Sequence, residues 1–329
     1  MRIDVHGHYL APDYVELMKR LRPAVSHDPA LGQQGSIDER IGMLDESGVD
    51  LQVLSLGSNV PYLEQEADAV AAARLANEIY AGIARERAGR LNAFGAVPLP
   101  HVDAAIAEAS RCLDELGMLG IALGCSIGER TLDDADFEPF WTELNRRKAV
   151  VFLHPIFRAS DAHIRDYELA RIAGACFEDT LAALRLLLSG LTERNPELRI
   201  IVPHFGGTLP VIYPRIARRG KGDLLRKLYY DTANGYGPAL QCACEAFGAG
   251  RLMLGTDFPY IGSIKQNVDY ILEAGLSAAD QQQILEKTAA DLLGLSAGST
   301  TSAGSTGSTG AAASTRASAT GSAASSSRP

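Results

Sequence analysis

Short apolar runs recur along the chain at residues 2–6, 51–56, 91–97, 120–123, 150–154, 199–204, 228–232 and 251–256. Between them apolar positions return at helical spacing, as in residues 67–87, 103–116, 137–147, 180–189 and 239–247. Eight strands alternating with helices predict parallel βαβ units that close on themselves, an α/β chain of the (β/α)8 or TIM-barrel class. An open doubly wound sheet is the structural rival, but it asks for a G-x-G-x-x-G turn after an early strand, and none occurs there. Two connections, residues 26–36 and 156–174, are longer than a compact domain needs, so both are expected to border the active-site mouth. Residues 296–329 collapse into Ser, Thr, Ala and Gly with two arginines. Such a segment buries too little apolar area to offset its ordering entropy, which predicts a barrel over residues 1–295 followed by a disordered tail.

Composition narrows the classes of function. The 329 residues carry a formal charge of -9, and the basic residues never gather into a run with interleaved aromatics, which argues against nucleic acid as a partner. No apolar stretch approaches the roughly 18 to 20 residues that span a bilayer, and the first strand begins at Arg2, so neither a membrane segment nor a leader is expected. A cytoplasmic enzyme is the expectation. Five cysteines with no repeated spacing form no disulfide framework. Cys242 and Cys244 lie two apart in a helical stretch, where their side chains diverge, and are expected to be small buried residues and not metal ligands.

Almost every unusual polar residue falls at the C-terminal end of an expected strand, the barrel face that carries catalytic groups. Strand 1 ends Ile3-Asp4-Val5-His6-Gly7-His8. Residues i and i+2 of an extended chain share a face, so both imidazoles are expected to point into the barrel mouth, with Gly7 allowing close backbone approach. Strand 5 ends Val151-Phe152-Leu153-His154-Pro155, delivering a histidine as proline stops the ladder. Strand 6 repeats the design in Val202-Pro203-His204-Phe205-Gly206-Gly207, and strand 8 does so with an acid in Gly255-Thr256-Asp257-Phe258-Pro259. Singly, each motif also fits a cap or a core histidine. Together, four of seven histidines and an aspartate end four different strands. That conjunction predicts a metal site, because three imidazoles and a carboxylate suit a divalent ion with one position left open. His27, His101 and His163 are expected in solvated or capping roles.

With Gly48-Val49-Asp50-Leu51-Gln52-Val53-Leu54-Ser55 and Tyr230-Asp231-Thr232, these motifs together resemble the amidohydrolase superfamily over residues 1–295. Within it the resemblance is to the decarboxylase-like branch containing aminocarboxymuconate semialdehyde decarboxylase and γ-resorcylate decarboxylase. It implies one metal ion held by His6, His8, His154 and Asp257, with His204 acting on water or substrate and no organic cofactor. Binuclear relatives carry a bridging lysine or acid at the end of strand 4, where this chain reads Gly120-Ile121-Ala122-Leu123-Gly124-Cys125. One metal follows, with Cys125 as a ligand a remote exception. Three nitrogen donors favour Zn2+, and Mn2+ is the alternative. The semialdehyde enzyme takes a substrate-binding arginine from an insertion after strand 1, and residues 26–36 contain none, which disfavours that substrate. Arg158 is a carboxylate clamp or, equally, a solvated loop arginine. Arg215, Arg218 and Arg219 lie where relatives send an arginine across a dimer interface, and a homodimer is implied.

The activity implied is non-oxidative decarboxylation of an aromatic or unsaturated carboxylic acid, with Asp257 or His204 moving a proton to the carbon that loses CO2. Hydrolysis of a lactone or amide by the same residues is the alternative. A metal-dependent binding protein is a third reading, against which stands a water-activating histidine beside an open coordination position.

Overall fold

The computed structural model describes residues 1–22, 33–157, 163–233, 235–260 and 262–295. The eight expected strands are present: β1 (Ile3–His8), β2 (Leu51–Ser55), β3 (Leu91–Ala96), β4 (Gly120–Gly124), β5 (Val150–His154), β6 (Arg199–Val202), β7 (Tyr229–Asp231) and β8 (Leu252–Met253). They pair in chain order and every pair is parallel. The ring closes between β1 and the segment after β8: Val5 N–H donates to Leu254 O (3.0 Å), Asp257 N–H to His6 O (2.7 Å) and His8 N–H to Phe258 O (2.9 Å). This is the (β/α)8 barrel.

Regular pairing in β6 stops earlier than the apolar run suggests. Pro203 has no N–H to extend the ladder, and His204 and Phe205 then turn to positive φ (53° and 58°). In β8 the pairing ends at Met253 because Leu254 N–H is drawn to Ile284 O (3.1 Å).

The helices follow the expected alternation. Glu66–Glu86 buries Ala69, Ala72, Ala73, Ala76 and Tyr80, a stripe at helical spacing whose small side chains let it lie close on the sheet. Val102–Asp114, Glu138–Arg146 and Gly237–Phe247 fall within a few residues of expectation. The helix expected from Thr180 begins at Ala175, preceded by a π-helical turn, Ala170–Gly174. That turn breaks the 3.6-residue period, so periodicity becomes readable only beyond it. Capping boxes start two helices that the apolar pattern left unmarked, Ser36 with Glu39 before Ile37–Ser47 and Ser263 with Gln266 before Ile264–Glu273.

At its N-terminal end the barrel is filled by Ile3, Val5, Leu51, Val53, Phe94, Phe152, Ile201 and Met253, and plugged by Ala289, Ala290 and Leu292. Among the described residues no helix is long and apolar enough to cross a membrane. The expected tail, His27 and Arg158 lie outside the described residues, as do residues 23–32 and 158–162 of the two long connections.

Candidate metal centre

The aim of His6 and His8 depends on a fault in β1. Ile3 and Val5 face the barrel interior, so strict alternation would send His6 and His8 outward. The pairing shifts instead: Asp4 lies opposite Gln52 but Gly7 opposite Leu54, three steps against two. The extra residue resets the phase, and the His6 ring stands 4.9 Å from Phe152 in the interior. A buried polar cluster holds the bulge. Asp4 accepts from His6 N–H (3.0 Å), Thr256 N–H (3.0 Å) and Gln52 Nε2 (2.6 Å). Arg40, fully buried, donates to Gln52 Oε1 (2.7 Å) and His8 O (3.0 Å). The expected close approach at Gly7 is real, since a Cβ there would sit 2.5 Å from Gln52 Cδ.

His154 arrives at the end of β5, and Asp257 follows β8 in the left-handed region at φ 52°. One donor atom from each of His6, His8, His154 and Asp257 lies within 4.8 Å of every other, and all four residues are buried. Asp257 Oδ1 is 3.2, 2.8 and 3.8 Å from the Nε2 atoms of His6, His8 and His154. The outer nitrogens fix the tautomers. His6 Nδ1–H donates to Asp231 Oδ2 (2.7 Å), and His154 Nδ1–H to Pro155 O (2.8 Å). His8 Nδ1 lies 3.1 Å from Ser55 Oγ and 3.3 Å from Ser55 O. With the protons outside, the Nε2 lone pairs turn inward, the arrangement that metal-binding histidines use. His6 Nε2 and His154 Nε2 are buried without a hydrogen-bond partner. Two orphaned lone pairs beside a carboxylate are satisfied by a cation, so the residues fit a divalent metal site. Gly57, at φ 57°, makes room for the His8 ring, since a Cβ there would lie 2.9 Å from it.

His204 completes the centre on the opposite side of Asp257. Its Nε2 is 3.4 Å from Asp257 Oδ2, and its Nδ1–H donates to Asp179 Oδ2 (2.9 Å). Asp231 ties the halves together, taking His6 Nδ1–H on one oxygen and the N–H groups of His204 (2.9 Å) and Ala233 (3.0 Å) on the other. Neither aspartate was singled out for a role from the sequence. Asp231 ends β7, so the positional rule that marked the other groups applies to it. Asp179 sits inside Ala175–Leu188, where nothing in the local pattern distinguishes it.

Burial alone would raise both Asp231 and Asp257, but the imidazoles around them hold both below the usual carboxylate range. Burial pushes His8 down to about 4 and lowers His154, leaving both neutral as ligands must be. Burial would lower His6 too, yet Asp231 and Asp257 outweigh it and lift it to about 9. His204 is likewise raised against burial, chiefly by Asp179. The carboxylates therefore demand positive charge at the point where the lone pairs converge.

Other expected roles divide. His101 stands at the N-cap of Val102–Asp114 but makes no side-chain cap; its Nε2 meets Leu63 O at 3.0 Å. His163 is exposed. Cys242 and Cys244 are half-buried free thiols outside the donor group, and Cys125 donates to Asp179 Oδ1 (3.4 Å). Arg215 lies on Leu209–Ala217 and, with Arg219, lines a shallow surface depression beside Leu184, Leu188 and Ile216.

Comparison with known proteins agrees with this geometry. A family profile described as amidohydrolase matches residues 3–295. The chain is 31% identical to a γ-resorcylate decarboxylase of Polaromonas sp. over 289 residues, 79% of this chain and 87% of that one. It is 29% identical to 2-amino-3-carboxymuconate-6-semialdehyde decarboxylase of Dictyostelium discoideum, over 78% of this chain and 76% of that one. The structure superposes on a dihydroxybenzoic acid decarboxylase of Polaromonas sp., solved with manganese and 2-nitroresorcinol, with a TM-score of 0.79 and 26% identity, covering 89% of this chain and 97% of that one. A profile match over nearly all the described residues and relatives that are decarboxylases lead to one conclusion: the chain belongs to the amidohydrolase family, in its decarboxylase-like branch.

Proposed function

We propose that this protein is a metal-dependent carboxy-lyase that removes CO2, without oxidation, from an aromatic or unsaturated carboxylic acid. The observation that carries the reading is the division of Asp257, whose Oδ1 faces the three ligand imidazoles while Oδ2 faces His204 Nε2 at 3.4 Å. A divalent cation bound by His6, His8, His154 and Asp257 supplies Lewis-acid attraction for a substrate carboxylate or neighbouring hydroxyl oxygen. His204, oriented by Asp179, presents its Nε2–H toward the substrate. When the C–C bond breaks, the electron pair stays on the ring carbon and CO2 leaves; a proton from His204 or Asp257 then fills that carbon. The cationic imidazole also offsets charge developing on the ring. The overall change consumes one proton per CO2 released.

The relatives' names support hydroxybenzoates as the first substrates to test. Three nitrogen donors support Zn2+, and the manganese in the Polaromonas enzyme supports Mn2+. Elemental analysis of protein purified without added metal decides between them. Free cysteines throughout support a reducing, cytoplasmic setting. Exposed Phe177, Leu181 and Leu188 on Ala175–Leu188, with Val211 nearby in sequence to Arg215, support a homodimer, which light scattering tests. The decisive assay is CO2 release from a panel of hydroxybenzoates and muconate-like acids. CO2 evolution supports the reading, and consumption of lactones or amides with no CO2 from any acid refutes it in favour of hydrolysis.

A further inference from the structure

His204 is held from behind by an acid, and that acid is held in turn by a thiol. Asp179 is fully buried on Ala175–Leu188. Its Oδ2 accepts His204 Nδ1–H (2.9 Å), and its Oδ1 accepts the Sγ–H of Cys125 (3.4 Å). Among the described residues Cys125 is the donor that Oδ1 has. A buried carboxylate oxygen left without a donor is costly, so the thiol completes the acid and fixes which oxygen turns to the imidazole. Beside that charge and away from water the thiol keeps its proton and remains a donor.

Cys125 is itself anchored to the metal half of the centre. Gly124 pairs with His154 in register, and at the next residue Cys125 N–H donates to His154 O (2.8 Å). Its backbone therefore holds the strand that ends in a ligand imidazole, and its side chain holds the acid behind His204. The helix bearing Asp179 also presses on the loop that carries His204. Thr180 Oγ1 accepts from Thr208 N–H (2.8 Å), and a Cβ on Gly207 would overlap Cys176 O. The carboxylate is thus fixed from two sides: the loop sets its distance from His204, and the end of β4 sets its rotation. A thiol is a weak donor, so it does this while withdrawing little charge from the acid, and the oxygen facing His204 stays a strong acceptor.

We propose that Cys125 is a positioning residue for the proton-transfer histidine: its thiol fixes the Asp179 carboxylate and, through it, the direction of His204 Nε2. The inference rests on the reading of His204 as the group that meets the substrate, and it adds the residue that sets its aim. Cys125 acts through Asp179 and supplies neither a ligand nor a proton to the reaction.

The test uses zinc-loaded protein in the wild type, Cys125→Ala, Cys125→Ser, Asp179→Ala and the double variant Cys125→Ala with Asp179→Ala, with metal content measured in each. Two readouts are compared. One is kcat and KM for CO2 release from the best acid of the panel. The other is the proton NMR signal of the His204 ring N–H in protein labelled at histidine nitrogen, assigned by its absence from His204→Gln. Cys125→Ala is expected to lower kcat by about tenfold, with KM and metal content within about twofold, and to shift the His204 signal. Cys125→Ser, which keeps a donor, recovers part of both. In Asp179→Ala the further change Cys125→Ala costs less than about twofold, because its target is gone. An unchanged kcat with an unmoved signal in Cys125→Ala overturns the proposal. So does a serine variant no better than alanine, which makes the thiol packing alone, and so does a full further loss on top of Asp179→Ala. A wild type that releases no CO2 from any acid, yet whose His204 signal moves in Cys125→Ala and returns in Cys125→Ser, keeps the thiol's role and sinks the decarboxylase reading alone.

Discussion

At the N-terminal end of the barrel the interior is filled by Ile3, Val5, Leu51, Val53, Phe94, Phe152, Ile201 and Met253. A few residues further along the same strands it is filled by four imidazoles and the carboxylates of Asp231 and Asp257, all buried. The first end gains free energy from water leaving apolar surface. The second bears the desolvation of charges and three residues at positive φ, His204, Phe205 and Asp257, at a cost of about 1–3 kcal/mol each. The apolar end supplies stability that lets the other hold an arrangement that would not persist alone, although the ring itself is closed largely at the rim, through Asp257 N–H to His6 O and His8 N–H to Phe258 O. The boundary between them is the bulge in β1, where the phase of the strand is reset.

Substitutions at the two ends should therefore fail in different ways. The largest effect is expected from Asp257→Asn, which removes the charge that balances the cation and faces His204. CO2 release should fall by at least about a thousandfold while circular dichroism shows an intact fold. Phe94, stacked on Phe152 at 5.3 Å, tests the other end. Phe94→Ala should cost about 3–5 kcal/mol in urea unfolding, with the folded protein still holding its metal. A loss of metal with no loss of stability would erase the distinction between the two ends.

Asp179→Asn tests the rim's supporting layer. It keeps a hydrogen-bonding group beside His204 Nδ1 but removes the charge, and should lower kcat by about ten- to a hundredfold with KM and metal content little changed. Smallest in reach is chelation. Stripping the metal should lower the melting temperature by several degrees, because an ion that binds the folded state alone stabilises it by mass action, and re-addition should restore it. An unchanged melting temperature would mean that the rim holds its shape without the cation.

The apolar pattern made the barrel readable because a strand buried on both faces leaves a run that little else in a soluble chain produces. The donors were readable because the fold puts chemistry at one end of every strand, so position added meaning to His6, His8, His154, His204 and Asp257. The reason His6 and His8 point inward was not readable. It depends on a slip in pairing with β2 and on Asp4, Gln52 and Arg40, whose contacts join residues 48, 12 and 32 positions apart. Asp179 was hidden for the same reason, since its meaning comes from His204 twenty-five residues away and not from its own helix. Arg158, a clamp or a solvated arginine by sequence, lies outside the described residues.

The central claim is that three imidazole nitrogens and one carboxylate oxygen meet on a single divalent cation. X-ray absorption at the metal edge, on protein as purified, tests it directly. One metal per chain is expected, with three imidazole nitrogens and carboxylate oxygen at about 2.0–2.2 Å, and one imidazole's scattering should be lost in His154→Ala. A substoichiometric metal, sulfur in the coordination shell, or a spectrum indifferent to His154→Ala would contradict it.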